Sequence, residues 1–313
     1  KSFFKIKKFN PDIIHFHTPA FAGLEAILTA KILKKPLVGT FHTYFMSLEY
    51  QKTIGLGKAG RELIEKVLWR YTRSIYNRCD LVVTASEFAR RDLINNGLKK
   101  PVKIIHNSSS LESLPKTPEK QISSLKKKLK LGNKTILYIG RLSREKSLNI
   151  LILAFNLVIR KVPLAKLLLV GDGPVRDELK ELARALGLEK DIIFTGKIEY
   201  QQLLKSGIFE LASLFATAST SEVQPISILE AMAFSLPIVG VRARGVTELI
   251  HDNGLLCKPG DIKDISVAIV KILENQDLRK RFSQRSRKVI EQEHTVVSVT
   301  KKLESLYKGL CLS

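Results

Sequence analysis

The sequence predicts an α/β protein made of two Rossmann-like, doubly wound parallel-sheet domains. Three observations carry that expectation. Short runs rich in β-branched residues alternate with longer amphipathic stretches along almost the whole chain, the mark of βαβ units. The chain has 313 residues, more than a single hydrophobic core usually serves. Apolar residues make up 44% of it, enough to fill packed cores and too many for wholesale disorder.

The elements follow in order. Strands are expected at 12–17, 36–40, 80–85 and 102–106, with amphipathic helices at 21–34, 58–78 and 87–96 between them. Residues 114–132, with two prolines and a lysine cluster, read as a linker and a surface helix. A second series of strands is expected at 135–140, 165–171, 191–196, 214–218, 237–241 and 254–257. Its helices fall near 146–160, 175–186, 226–234, 262–275 and 277–292. A last helix near 296–309 has no strand after it and is expected to cross back onto the first domain. The domains are therefore drawn at 1–115 and 134–292, with 116–133 as linker and 293–313 as the terminal helix. In such sheets ligands sit beyond the carboxyl ends of the strands, and the expected active site is the cleft between the domains.

Charge narrows the partners. The chain carries 52 Lys and Arg against 30 Asp and Glu, a net charge of +22. Residues 1–115 hold 19 basic against 9 acidic side chains, and 116–130 add 6 Lys against one Glu. This excess suits an anionic membrane surface or a phosphorylated substrate, and equally a solvated lysine-rich surface. No zinc-finger, RNP or recognition-helix pattern points to nucleic acid. Cys79, Cys257 and Cys311 are scattered and form no CxxC, so neither a metal site nor a disulfide framework is expected, and a reducing cytoplasmic compartment fits. The longest apolar stretch, 148–159, is interrupted by Asn149 and Asn156 and falls short of the roughly 20 residues of a membrane span.

Four clusters carry chemistry, each at the carboxyl end of an expected strand. Gly140-Arg141-Leu-Ser-Arg-Glu-Lys146 joins a strand to a helix, and a helix amino terminus with Arg and Lys beside it suits a diphosphate; the same cations also suit bulk solvent. Gly171-Asp-Gly173-Pro174 permits a tight turn and close backbone approach, with Pro174 expected at the first helical position. Gly196-Lys197-Ile198 offers its backbone to a base or ribose, or is a plain turn. Glu222-Val-Gln-Pro-Ile-Ser-Ile-Leu-Glu230 sets two carboxylates eight residues apart around a helix start, where the amides of Ile226 and Ser227 are open to phosphate. Pro225 is expected in the first turn, with Glu230 about one turn inside.

Taken in that order, the clusters resemble the family-4 glycosyltransferases of the GT-B fold, over nearly the whole chain from Pro11 to Leu306. The segment Ser221-Glu222-Val223-Gln224 is similar to the branch that acts on diacylglycerol and related lipids. The resemblance implies a retaining, metal-independent hexosyltransferase that takes a nucleotide diphosphate sugar as substrate and needs no cofactor. Arg141 and Lys146 would hold the diphosphate beside Gly140, Gly171 and Gly196. Glu230 would bind the ribose, Glu222 the donor sugar, Ile198 the base through its backbone, and Ile226 would line the same pocket. Thr40-Phe41-His42-Thr43-Tyr44 looks like the acceptor-side segment, with His42 orienting the acceptor hydroxyl or sharing its proton, and Tyr44 and His17 beside it. His15 reads as a packed histidine.

The acceptor implied is a lipid or a glycan, at the inner face of the plasma membrane. The helix at 58–78 reads as core-packed with a basic outer face, or as membrane-facing, with Lys126-Lys127-Lys128 adding charge. Ser147 and Ser235 stand where the family mostly has glycine, Pro225 replaces a usual glycine, and Ser108 follows Asn107 where an Asn-Gly turn is typical. The family's first strand and glycine-rich loop should precede Pro11, so the first domain is expected to be incomplete at its start. Two other readings stay open, a sugar-nucleotide epimerase of the same fold and a non-catalytic nucleotide-sugar-binding protein.

Overall fold

The computed structural model describes residues 2–44, 58–109, 114 and 117–312. The chain divides into two units. The first holds Lys1–Asn107, Glu222–Gln224 and Val296–Ser313; the second holds Ser108–Ser221 and Pro225–Thr295.

In the first unit, β1 (Ile14–Phe16), β2 (Leu37–Phe41), β3 (Leu81–Thr84) and β4 (Val102–Ile104) pair in parallel in that order. Register is set by Ile14 opposite Leu37, Val38 opposite Leu81 and Val82 opposite Val102. Every residue of β2 and β3 is buried, as a parallel strand covered on both faces requires. On one face Phe16, Phe41 and Val82 meet Ala26 and Ala30 of the helix Phe21–Leu33 and Ile75 and Tyr76 of the helix Lys58–Tyr76. On the other, Val38, Leu81 and Val83 meet Leu306, Tyr307 and Leu310 of the helix Val296–Cys311. The helix Glu87–Asn95 starts at Ser86, whose hydroxyl accepts from the Ala89 amide at 3.2 Å.

The second unit carries six parallel strands, β5 (Lys134–Ile139), β6 (Ala165–Val170), β7 (Ile192–Gly196), β8 (Leu214–Ala216), β9 (Ile238–Val241) and β10 (Gly254–Cys257). Their spatial order is β10-β9-β8-β5-β6-β7, the doubly wound arrangement with its reversal between β5 and β8. Side chains alternate along β5. Ile136 and Tyr138 join the core under the helices Leu148–Lys161 and Ile262–Glu274, while Leu137 and Ile139 face the helix Ile226–Ala233 and Ile290. Asp261 caps the helix Ile262–Glu274 through the Asp264 amide, and Asn275 caps the helix Gln276–Glu293, which carries Ile290, through the Leu278 amide.

The structure shifts several boundaries. β1 stops at Phe16 and β2 at Phe41, so His17 and His42 each stand one residue past a strand end. Lys146 closes a 3-10 turn, Arg144–Lys146, and the α-helix begins only at Leu148, because Ser147 takes a left-handed φ of 52° and breaks the helical path. Ser235 is likewise left-handed, at 60°, so both serines in glycine positions hold a glycine conformation. Pro174 precedes its helix, Arg176–Ala185, by two residues, and Pro225 is the residue before the helix rather than its first member. Within 116–133 the helix Glu119–Lys128 presses Ile122 and Leu125 on the second unit's core. Among the described residues, the α-helices Ser2–Phe9, Tyr200–Lys205 and Arg244–Thr247 lie outside the expected elements. The side chains of Lys58 and Arg61, counted in the basic face, lie outside the described residues.

Candidate functional site

The second unit brings its glycine clusters together at the carboxyl ends of β5, β6 and β7, next to the strand-order reversal. The loops hold one another through main-chain bonds. Gly140 N–H donates to Val170 O, Leu142 N–H to Asp172 O at 2.9 Å, Val175 N–H to Leu142 O at 3.1 Å and Gly171 N–H to Gly196 O at 3.0 Å. Two glycines make this lacing sterically possible. A Cβ at Gly171 would stand 1.9 Å from the Gly140 oxygen, and one at Gly173 would stand 2.3 Å from the Leu142 oxygen.

Arg141 projects from this edge with an exposed side chain, and Lys146 is half-buried in the short turn that follows. Beneath them the buried Glu145 carboxylate accepts from the Ser143 hydroxyl at 2.6 Å, and its main-chain oxygen accepts from Ser219 Oγ, in the loop after β8, at 3.4 Å. The cationic turn is thus tied to the loop across the strand-order reversal. Ile226 and Ser227 open the helix Ile226–Ala233, whose first amides and dipole favour an anion. Ile198 lies half-buried against the core.

Glu230, on the second turn of that helix, is only 6% exposed. Burial pushes its pKa from 4.5 up to about 7, and a hydrogen bond donated by Tyr200 partly offsets this. The same contact raises the pKa of Tyr200, after burial. The sequence alone does not point to the Tyr200–Glu230 contact; its one signal is an aromatic two residues after Ile198.

In the first unit, the ends of β1 and β2 gather three imidazoles. His17 Nδ1 lies 3.1 Å from His42 Nε2, with the rings stacked at 13°. The His15 ring centroid is 4.3 Å from that of His17. His15 Nδ1 bonds the Tyr307 hydroxyl at 2.5 Å and its Nε2 bonds Thr40 Oγ1 at 2.5 Å. Burial, then the charges of His17 and His42, lower the His15 pKa to about 4, so it is a neutral, packed imidazole. His42 is lowered too, by burial first and His17 second, although the ring keeps an open face. Tyr44, expected beside the acceptor, is instead buried edge-on against Phe41 at 5.3 Å and does not reach open solvent. Glu222 is half-buried, and the Val223 after it joins the core of this unit.

Among the described residues, no group of three or more His, Cys, Asp or Glu side chains could hold a metal ion, and no helix is long and apolar enough to cross a membrane. The first unit does expose apolar side chains in helical rows. Phe21, Leu24, Leu28 and Ile32 form one, and Leu63, Val67 and Tyr71 form another among Lys66, Arg70 and Arg73. The Tyr71 hydroxyl donates to Pro19 O at 2.6 Å, linking the second row to the segment that leads into the first.

A family profile described as "Glycosyl transferases group 1" matches residues 119–289, and one described as "Glycosyltransferase Family 4" matches 3–112. The sulfoquinovosyl transferase of Arabidopsis thaliana is 26% identical over 95% of this chain and 56% of its own length. An alpha-monoglucosyldiacylglycerol synthase of Streptococcus pneumoniae is 31% identical over 79% of this chain and 55% of its own length. The chain thus spans little more than half of these curated relatives. Among solved structures, Anabaena HepE in complex with UDP and glucose superposes with a TM-score of 0.82 at 25% identity, covering 98% of this chain and 81% of that one. A glycosyltransferase of Rickettsia africae has the same fold, with a TM-score of 0.78 at 20% identity, covering 99% of this chain and 79% of that one.

Proposed function

Because the chain belongs to the group 1 glycosyltransferases, we propose that it moves a hexose from a nucleotide diphosphate sugar to a hydroxyl of a lipid or glycan acceptor, with retention and without a metal ion. Its fold is α/β of the GT-B kind, with two parallel-sheet domains. The observation that carries the donor reading is the edge of laced glycine loops beside the strand-order reversal, bearing Arg141 and Lys146, with the helix Ile226–Ala233 following β8, the strand paired with β5. The HepE complex with UDP and glucose supports it.

In this reading Gly140, Gly171 and Gly196 let the backbone approach the donor, and Ile198 meets the base through its main chain. Ile226 and Ser227 offer amides to phosphate. Glu230, when ionised, accepts from the ribose hydroxyls. Glu222 contacts the hexose. As the glycosidic bond breaks, Arg141, Lys146 and the helix dipole stabilise the charge growing on the leaving diphosphate. The acceptor hydroxyl attacks from the leaving-group side, so configuration is kept. His42, held by His17, orients that hydroxyl or takes up its proton. Attachment to the anionic inner face of the plasma membrane through the two exposed apolar rows and their flanking cations fits a lipid acceptor, and so does the likeness to a monoglucosyldiacylglycerol synthase.

Calorimetry with UDP-, GDP- and ADP-sugars tests the donor half. Saturable binding of one nucleotide class, weakened at least tenfold by Lys146→Ala, is expected; unchanged binding and turnover in that variant would refute the phosphate assignment. His42→Ala should keep donor binding while transfer falls by roughly 10²-fold or more. Sedimentation with phosphatidylglycerol vesicles, but not with phosphatidylcholine vesicles, checks the membrane face.

A further inference from the structure

We infer that Gln224 is the positioning residue of Glu222, fixing where that carboxylate stands; the inference rests on the glycosyltransferase reading above. Glu222–Gln224 folds as part of the first unit, although the residues on either side of it belong to the second. The Gln224 side chain is 5% exposed. Its Oε1 accepts from the Asn107 backbone N–H at 2.6 Å, and its main-chain oxygen accepts from Asn107 Nδ2 at 3.0 Å. One asparagine therefore grips both the side chain and the backbone of Gln224, which fixes orientation as well as place.

Gln224 Nε2 also lies 3.0 Å from His106 Nδ1, a nitrogen 2.9 Å from the Ala85 oxygen. One ring nitrogen cannot donate to a carbonyl and accept from an amide at once, so the two bonds to Asn107 are the firm ones. Val223 is buried in the first unit's core, and Pro225, with φ at −71°, stiffens the next link. The residue after Glu222 is thus held by packing, the next by two hydrogen bonds and the third by its ring. The main chain that follows Glu222 is thereby held at three successive residues. A carboxylate that must meet one face of a sugar in the transition state gains from such pre-ordering, since a displacement of about 1 Å can cost on the order of 10²-fold in rate.

The test compares wild type with Gln224→Leu, Gln224→Glu, Glu222→Gln and the double variant Glu222→Gln/Gln224→Leu. Turnover is measured with UDP-glucose, GDP-mannose and ADP-glucose, and calorimetric binding with UDP, GDP and ADP. Gln224→Leu should lower kcat by roughly 10–100-fold, with the donor KM within about threefold and diphosphate binding unchanged. Gln224→Glu keeps the acceptor for the Asn107 amide and should recover most of the rate. On top of Glu222→Gln, the leucine change should cost less than about twofold, because its effect passes through Glu222. Should Gln224→Leu not fold, Asn107→Ala, which removes one of the two bonds, should show the same non-additivity with Glu222→Gln. Full turnover in Gln224→Leu, or losses that multiply in the double variant, would overturn the inference while leaving the glycosyltransferase reading intact. A wild-type chain that neither binds the diphosphates nor turns over any of the three sugars would sink that reading, and this inference with it.

Discussion

In the second unit the loops after β5, β6 and β7 hold one another by main-chain bonds, whereas in the first unit the strand ends meet through side chains drawn from as far as 292 residues apart. The first kind of site tolerates many side chains but not an added Cβ at its crossing points. The second depends on particular rings and hydroxyls and on their protonation. Both lie at the carboxyl ends of parallel strands, so the contrast comes from what fills the loops and not from the sheets.

The largest expected effect breaks the main-chain lacing. Gly173→Ala places a Cβ 2.3 Å from the Leu142 oxygen and should destabilise the second unit by roughly 3 kcal/mol in urea unfolding. A loss below about 0.5 kcal/mol would mean that the loops are not locked as described.

Next comes the imidazole cluster. The folded pKa of His15, about 4, lies below its unfolded value of 6.5, so the unfolded chain takes the proton first. Stability is therefore full above 6.5 and lost as pH falls towards 4, by on the order of 2–3 kcal/mol. Denaturation at pH 7 and pH 4 should show this loss in wild type and a smaller one in His15→Gln; parallel losses would clear His15 of the role.

Glu230 runs the opposite way. Its folded pKa, about 7, exceeds the ordinary 4.5, so its stabilising share is present below 4.5 and fades as pH rises through 7. Glu230→Gln should gain on the order of 2 kcal/mol at pH 8 and almost nothing at pH 4, while nucleoside diphosphate affinity falls at least tenfold. A variant less stable than wild type at pH 8 would show that the carboxylate is better compensated than its burial suggests. The two units should then respond to pH with opposite signs.

The smallest effect sharpens the backbone side of the comparison. Ser147 holds a φ of 52°, which costs an L-residue energy that glycine does not pay, so Ser147→Gly should be neutral to stabilising by about 0.5 kcal/mol in thermal unfolding. A clear destabilisation would mean that the serine hydroxyl matters at this turn.

These contrasts also explain what could be read in advance. Each expected strand is present within a few residues, and so are Gly140, Gly171 and Gly196 at strand ends, because alternation, helical period and turn glycines are written in neighbouring residues. The helix after Gly140 starts at Leu148 and not at 146 because Ser147 takes a left-handed backbone, and the sign of it is the family likeness that puts glycine there, since a serine by its own propensity does not announce that conformation. The sequence puts Tyr44 beside His42 in one short segment, and only its packing on Phe41 shows that the ring is removed from the surface.

By itself the sequence determined the order of strands and helices, the placing of the glycine turns and the two carboxylates on one loop–helix segment, since each of these depends on contacts a few residues long. The tertiary structure alone decided that Tyr307 would hold His15, that Asn107 would grip Gln224 117 residues away, and that burial would bring Glu230 to the edge of protonation at neutral pH. Those outcomes depend on which distant surfaces exclude water from one another, and no local pattern encodes that.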